Sequence, residues 1–137
     1  ETATRETFRI KGESTITVND YQNGRKFADA LCYSFYPIDL HTKDGVVPKH
    51  LKRGVVPTIP RGSLIPKGST NLMVAGRCLS SDRYANSAAR VQASCMGMGQ
   101  AAACTAVLAA KSSTTPKEVP LGEIHGLLRE HGAIVPA

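Results

Sequence analysis

Residues 71–110 read NLMVAGRCLSSDRYANSAARVQASCMGMGQAAACTAVLAA, and the reading of the fold starts from them. The stretch opens with an apolar run, Leu72-Met73-Val74-Ala75, that stops at Gly76. Four apolar residues ended by a glycine predict a buried strand delivering the chain to a sharp turn. A polar connection from Arg77 to Asn86 follows, and no proline occurs again before Pro116. From Ser87 or Ala88 the pattern predicts a helix of about six turns, roughly 35 Å long at about 1.5 Å per residue. Almost none of its faces is polar, which predicts burial nearly all round. Cys95, Gly99, Ala102, Ala103, Ala106 and Ala110 recur at three- and four-residue spacing, so they share one stripe of small residues. Such a stripe lets another backbone, or a flat ligand, come close. Glycine inside a helix costs about 1 kcal/mol relative to alanine, so Gly97 and Gly99 mark where that approach matters.

An alanine-rich core helix would satisfy this pattern with no function attached. A membrane span is disfavoured although Ala93–Ala110 carries no charge. Gln100, two glycines and many alanines supply little of the transfer energy that Leu and Ile provide. The functional reading is strand, glycine turn, then a helix N-terminus aimed at a ligand. Its first amides lack intrahelical partners, and the helix dipole favours negative charge there. A phosphate, a carboxylate or an electron-rich ring oxygen suits that arrangement.

The segment AGRCLSSDRYANSAARVQASCMGMGQAAA resembles the C-terminal flavin-contacting segment of the FAD-dependent oxidoreductases, relatives of the glutathione-reductase and fumarate-reductase-like flavoproteins. RETFRIKGE, YPIDLH and VPTIPRGSLIPKG resemble other family segments in the same order, so the resemblance spans Thr4 to about Pro136. It implies a mixed α/β fold of short strands plus one long buried helix. That fold would be the C-terminal portion of a two-domain FAD-binding protein lacking its N-terminal nucleotide-binding half. By this resemblance Gly76 and Arg77 form the turn beside the ribityl and phosphate portion of the flavin, and Asp82 bonds a ribityl hydroxyl. Ala89, Arg90 and Val91 present helix-start amides to the pyrimidine oxygen of the ring, where they stabilise negative charge on the reduced flavin. Arg61 and Ser63 lie on the substrate side. The implied cofactor is FAD, held by the full-length parent and not tightly by this chain. The implied partners are the N-terminal half of the parent and a small-molecule substrate. One departure is Ala103, in GQAAA, where the family usually has glycine; a methyl there would push a neighbouring helix away.

Taken from its beginning, the chain has 137 residues and a formal charge of +6, which suits one modest domain. Residues 1–70 form a strand-rich, substrate-side segment and residues 71–137 the strand-turn-helix and closing helix, in one compact unit. A chain opening on ETATRETFRI looks like a piece of something longer, and its compartment stays open. Cys32, Cys78, Cys95 and Cys104 show neither CxxC nor His-rich spacing, so free thiols are expected rather than zinc or a disulfide framework. RETFRIKGESTIT, residues 5–17, alternates enough to predict strand, turn and strand. Arg5 and Arg9 either clamp an anionic substrate or pair with acids such as Glu6 and Glu13. Thr17 with Asp20 three residues on predicts a capped helical turn ending near Gly24.

FADALCYSFYPIDL, residues 27–40, is aromatic and apolar and predicts a strand ended by Pro37. Asp39 and His41 fall on one side of an extended chain, where Asp39 would orient the imidazole for proton transfer. A histidine bonded to a neighbouring carbonyl is the plainer alternative; the resemblance places YPIDLH near the substrate side of the flavin. Residues 42–67 carry Lys43, Lys49, Lys52, Arg53, Arg61 and Lys67 against Asp44 alone, broken by four prolines and three glycines. No aromatic is interleaved to stack on bases, so nucleic acid is disfavoured and a solvated excursion steering acidic substrates is expected. PLGEIHGLLREHG, residues 120–132, predicts an amphipathic closing helix with Leu121, Ile124, Leu127 and Leu128 inward and Gly132 as its stop. His125 and His131 are assigned to its surface.

No GxGxxG follows any candidate strand, so the adenine half of an FAD finds no home here. Two other classes stay open: a small anion- or ligand-binding module without redox chemistry, and an interaction domain that docks a helix on the small-residue stripe. The long apolar helix, deprived of a nucleotide-binding half, predicts self-association of the isolated chain, as a homodimer.

Overall fold

Thr17 starts the first helix in the computed structural model of the chain, which describes residues 8–137. The Thr17 hydroxyl accepts from the Asp20 amide at 3.2 Å, and the Asp20 carboxylate accepts from the Thr17 amide at 3.0 Å. This reciprocal cap opens α1, Val18–Gln22, and Gly24 at φ +62° turns the chain away. β1, Ala30–Tyr33, then meets β4, Thr58–Pro60, antiparallel. The strand expected over residues 27–40 is therefore only four residues long. Its partner is the limit, because Pro57 and Pro60 offer no amide to extend the ladder. Past Ser34, Phe35 and Tyr36 are exposed.

The front half of the basic excursion folds back as a ribbon. β2, His41–Thr42, pairs with β3, Gly45–Val46, and Ile38 bridges Lys49 in the same register. After β4 a 3-10 turn, Arg61–Leu64, follows. Two expected strands are absent among the described residues. Within 8–17 the backbone makes isolated bridges instead, Gly12 to Pro66 and Ile16 to Ser81; Arg5 and Glu6 lie outside the described residues. Glu13 pairs with Lys117 at 3.1 Å, not with Arg9. Leu72–Ala75 forms no strand either: the Val74 amide reaches the Leu64 carbonyl at 2.8 Å, and Leu72 stands exposed.

The long helix is two helices. Asp82 caps α2, Arg83–Ala89, and the chain leaves it at Arg90, takes an extended conformation at Val91 (φ −71°, ψ 155°), and begins α3, Gln92–Lys111. Arg90 is the C-cap of α2, at the helix end where a cation is favoured, and its Nε donates to the Ser87 carbonyl at 3.2 Å. Nor is α3 buried nearly all round. Ser94, Met98, Ala101, Cys104, Thr105 and Ala109 pack inward, whereas Met96 is 74% and Val107 47% exposed. The small-residue stripe divides accordingly: Cys95, Gly99 and Ala102 are half-buried, and Ala103, Ala106 and Ala110 face solvent. β1 and α4 pack against it. By length and composition α3 resembles a membrane span, yet 33% of its apolar window is buried within this fold.

α4, Leu121–Glu130, closes the molecule with Ile124 and Leu128 fully inward and Gly132 at φ +75° beyond its end. His125 is half-buried rather than on the surface, its Nε2 lying 2.8 Å from the Ala30 carbonyl of β1. Tyr21, Leu31, Ile59, Leu64, Leu79, Met98 and Ile124 fill the core between these elements. The class is mixed α/β: four helices and two small antiparallel sheets among the described residues.

Candidate functional site

The ribbon of residues 38–49 has two chemically different faces, because side chains alternate along a strand. Ile38 and Leu40 take one; Asp39 and His41 take the other. Ile38 and Lys49 exchange both backbone hydrogen bonds, at 3.0 and 2.9 Å. In an antiparallel ladder the next pair then points its amides and carbonyls outward. That pair is Asp39 and Pro48, so the missing proline amide costs the ladder nothing. The outward groups of Asp39 are met by α2 and its C-cap. Its amide donates to Ser87 Oγ at 3.1 Å, and its carbonyl accepts from Arg90 Nη2 at 3.0 Å.

Around the Asp39 carboxylate two cationic or potentially cationic groups gather. His41 Nε2 stands 3.5 Å from Asp39 Oδ2, longer than a good hydrogen bond but within ion-pair range, and Arg90 Nη2 stands 3.9 Å from the same oxygen. Arg90 is nearly buried at 9% exposure, while the His41 side chain keeps 38%. A fixed guanidinium thus holds the carboxylate from below, and an accessible imidazole approaches it from the solvent side. The expected Asp39–His41 pairing is present in the geometry. Arg90 joins it, although the sequence pointed Arg90 elsewhere.

The second cluster surrounds Gly76. Its φ of +87° is a conformation that side chains resist, and it is buried. A Cβ at Gly76 would lie 3.6 Å from Cys95 Sγ, so the turn rests directly on the first turn of α3. Asn86 fastens it from α2, its Nδ2 donating to the Arg77 carbonyl at 3.0 Å and to Ser81 Oγ at 3.2 Å. Nothing in the spacing of the sequence singled Asn86 out. It closes the polar connection of residues 77–86, and no pattern there separates it from its polar neighbours. No side chain caps α3, and Gln92 and Ala93 in its first turn are exposed. The helix-start amides therefore belong to Gln92 and Ala93. Ala89 is the last residue of α2, and the Arg90 amide is spent on the Asn86 carbonyl at 3.0 Å.

Other candidates have structural partners. Asp82 Oδ1 accepts from the Ala85 amide at 2.8 Å and Oδ2 from the Val18 amide at 2.5 Å, so one carboxylate caps both α2 and α1. Ser63 is fully buried and donates to the Pro60 carbonyl at 2.8 Å. Arg61 Nη1 donates to the Val119 carbonyl at 2.5 Å and faces that of Pro116 at 3.4 Å. A buried hydroxyl chain, Tyr21 to Ser34 at 3.0 Å and Ser34 to Ser94 at 2.8 Å, ties α1 to the first turn of α3. Burial raises the Tyr21 hydroxyl's pKa, against its bond with Ser34. All four cysteines are free; burial pushes the Cys32 thiol up to about 12 and raises that of Cys95 against the pull of Arg77.

Among protein-family models, that of the FAD dependent oxidoreductase family matches residues 1–128. The chain belongs to that family. No curated protein matches it, and no solved structure does. Membership implies that the parent of this FAD-dependent oxidoreductase chain binds FAD. Beside the buried Gly76 turn, the start of α3 carries no side-chain cap and its first residues, Gln92 and Ala93, face solvent.

Proposed function

We propose that this chain is the C-terminal, flavin-contacting part of an FAD-dependent oxidoreductase akin to the glutathione-reductase and fumarate-reductase-like flavoproteins. The observation that carries the reading is the contact of Gly76 with Cys95, which sets the glycine turn against the open N-terminus of a 20-residue helix. Gly76 and Arg77 border the cofactor's ribityl and phosphate portion. The α3 start, from Val91 through the amides of Gln92 and Ala93, faces the ring's pyrimidine edge, where unpaired amides and the helix dipole favour negative charge. FAD, when bound, supplies the hydride chemistry. Ala89 and Arg90 support that edge from behind as the end of α2, and Asp82 sets where α2 begins. His41, steadied by Asp39, holds or moves a proton on the substrate side. Arg61 and Ser63 border that side through the backbone they fix.

Replacing Gly76 by valine in the full-length parent tests the cofactor reading. A β-branched residue at φ +87° is strained, so the variant is expected to purify with its flavin absorbance largely lost and its helical circular dichroism kept. Full flavin content with an unchanged reduction potential would remove the turn from the site.

A further inference from the structure

The face of the ribbon opposite Asp39 and His41 lines a groove of about 420 Å³, within the roughly 300–1,000 Å³ usual for small-molecule sites. Ile38, Leu40, Val47 and Lys49 line it from the ribbon. Val18 and Gln22 of α1 and Tyr84 of α2 make the far wall. The lining is apolar apart from an amide, a phenol and one ammonium, and it contains no acid. Its surroundings share that sign: residues 42–54 carry Lys43, Lys49, Lys52 and Arg53 against Asp44. Val47 is 90% and Tyr84 52% exposed, a large apolar exposure for two residues that flank one cleft.

We propose that this groove binds an amphipathic carboxylate, an apolar chain lying along Ile38, Leu40 and Val47 with its anionic head on Lys49. The apolar wall rewards a hydrocarbon tail in proportion to the area it covers. The single cation, in a field of like charges, selects an anionic head over a neutral one. A purely polar anion would gain nothing from the apolar wall, and a neutral lipid nothing from Lys49. The inference does not rest on the flavin reading, since the groove lies on the other face of the ribbon from Asp39 and His41.

Titration calorimetry of the chain with decanoate, decanol and acetate decides it. Decanoate is expected to bind saturably below its micellar concentration, decanol more weakly and acetate not at all. Lys49 and Val47 are exposed, so Lys49→Glu and Val47→Asp leave the core alone, which unchanged circular dichroism verifies. Lys49→Glu should weaken decanoate about tenfold while leaving decanol within about twofold, and Val47→Asp should weaken both. Decanoate binding unmoved by either substitution would place the ligand elsewhere. Equal losses for decanoate and decanol in Lys49→Glu would sink the head-group pairing, and no saturable binding would sink the site.

Discussion

Arg90 is nearly buried, so its partners decide whether the 38–41 segment keeps its place. The guanidinium spans three acceptors: the Ser87 carbonyl, the Asp39 carbonyl and, more distantly, the Asp39 carboxylate. Lysine can reach one of them, not the fork. Arg90→Met is expected to destabilise the chain by about 2–4 kcal/mol in urea unfolding, because it removes the donor from the Ser87 and Asp39 carbonyls and leaves the Asp39 carboxylate with His41 alone of the pair. Arg90→Lys should recover only part of that loss, and full recovery would show that charge alone matters. The thiols give a second test at this scale. Cys32 titrates near 12 in the fold against an ordinary 9.0. A raised pKa means stability present below 9.0 and lost as pH climbs from 9.0 toward 12. Iodoacetamide at pH 8 should therefore label half-buried Cys78 well before Cys32, with mass mapping as the readout; equal rates would contradict the burial of Cys32. Of the residues picked from sequence, Asp39 and His41 were legible because two-residue spacing survives in any extended segment. Arg90 and Asn86 were not, because their roles depend on a tertiary crossing 51 residues long in the first case and on the Gly76 turn in the second.

Capping shows what a single carboxylate does at the level of elements. Asp82 serves the first amides of two helices at once, so Asp82→Ala should cost roughly 2 kcal/mol or more, about twice the Thr17→Ala loss of about 1 kcal/mol expected for one cap. Urea titration of both variants checks the ratio. The α1 cap also carries a pH dependence. Burial alone would raise the Asp20 pKa, but hydrogen bonds from Arg25 and Thr17 outweigh it and hold the pKa below the ordinary 3.8. The stability it gives is present above 3.8 and lost as pH falls through the lower folded value. Hydrogen exchange at residues 21–24 should accelerate in that acidic window, and flat protection there would contradict the cap. At this scale the sequence was readable where signals are local: the Thr17–Asp20 cap and the closing helix before Gly132. It misled where a partner decides, as with Leu72–Ala75, which has the composition of a central strand but joins no ladder among the described residues, its Val74 amide making a single bond to Leu64. The α2–α3 break was hidden as well, since the run through Arg90 and Val91 holds neither the glycine nor the proline that marks a helix end.

For the molecule as a whole, α3 presents Met96, Ala103, Ala106, Val107 and Ala110 to water with no charge among them. An uncharged helical face of that kind is a docking surface more often than a solvated one. The isolated chain is expected to self-associate, most simply as a two-fold dimer, and to take up no FAD tightly. Light scattering after size exclusion reads the mass, and Met96→Glu with Val107→Lys should return it to that of one chain. A monomeric wild type would refute the first half, and stoichiometric FAD uptake the second. The double cap made by Asp82 also bears on the order of events at the ribosome. The amide at Val18 waits for a carboxylate 64 residues downstream, which at roughly 5–20 residues per second is a delay of about 3–13 s. Ile16 waits equally for Ser80 and Ser81. During that interval the amides of Ile16 and Val18 lack the partners that residues 80–82 supply, and a chaperone that holds extended chain would find its binding window there.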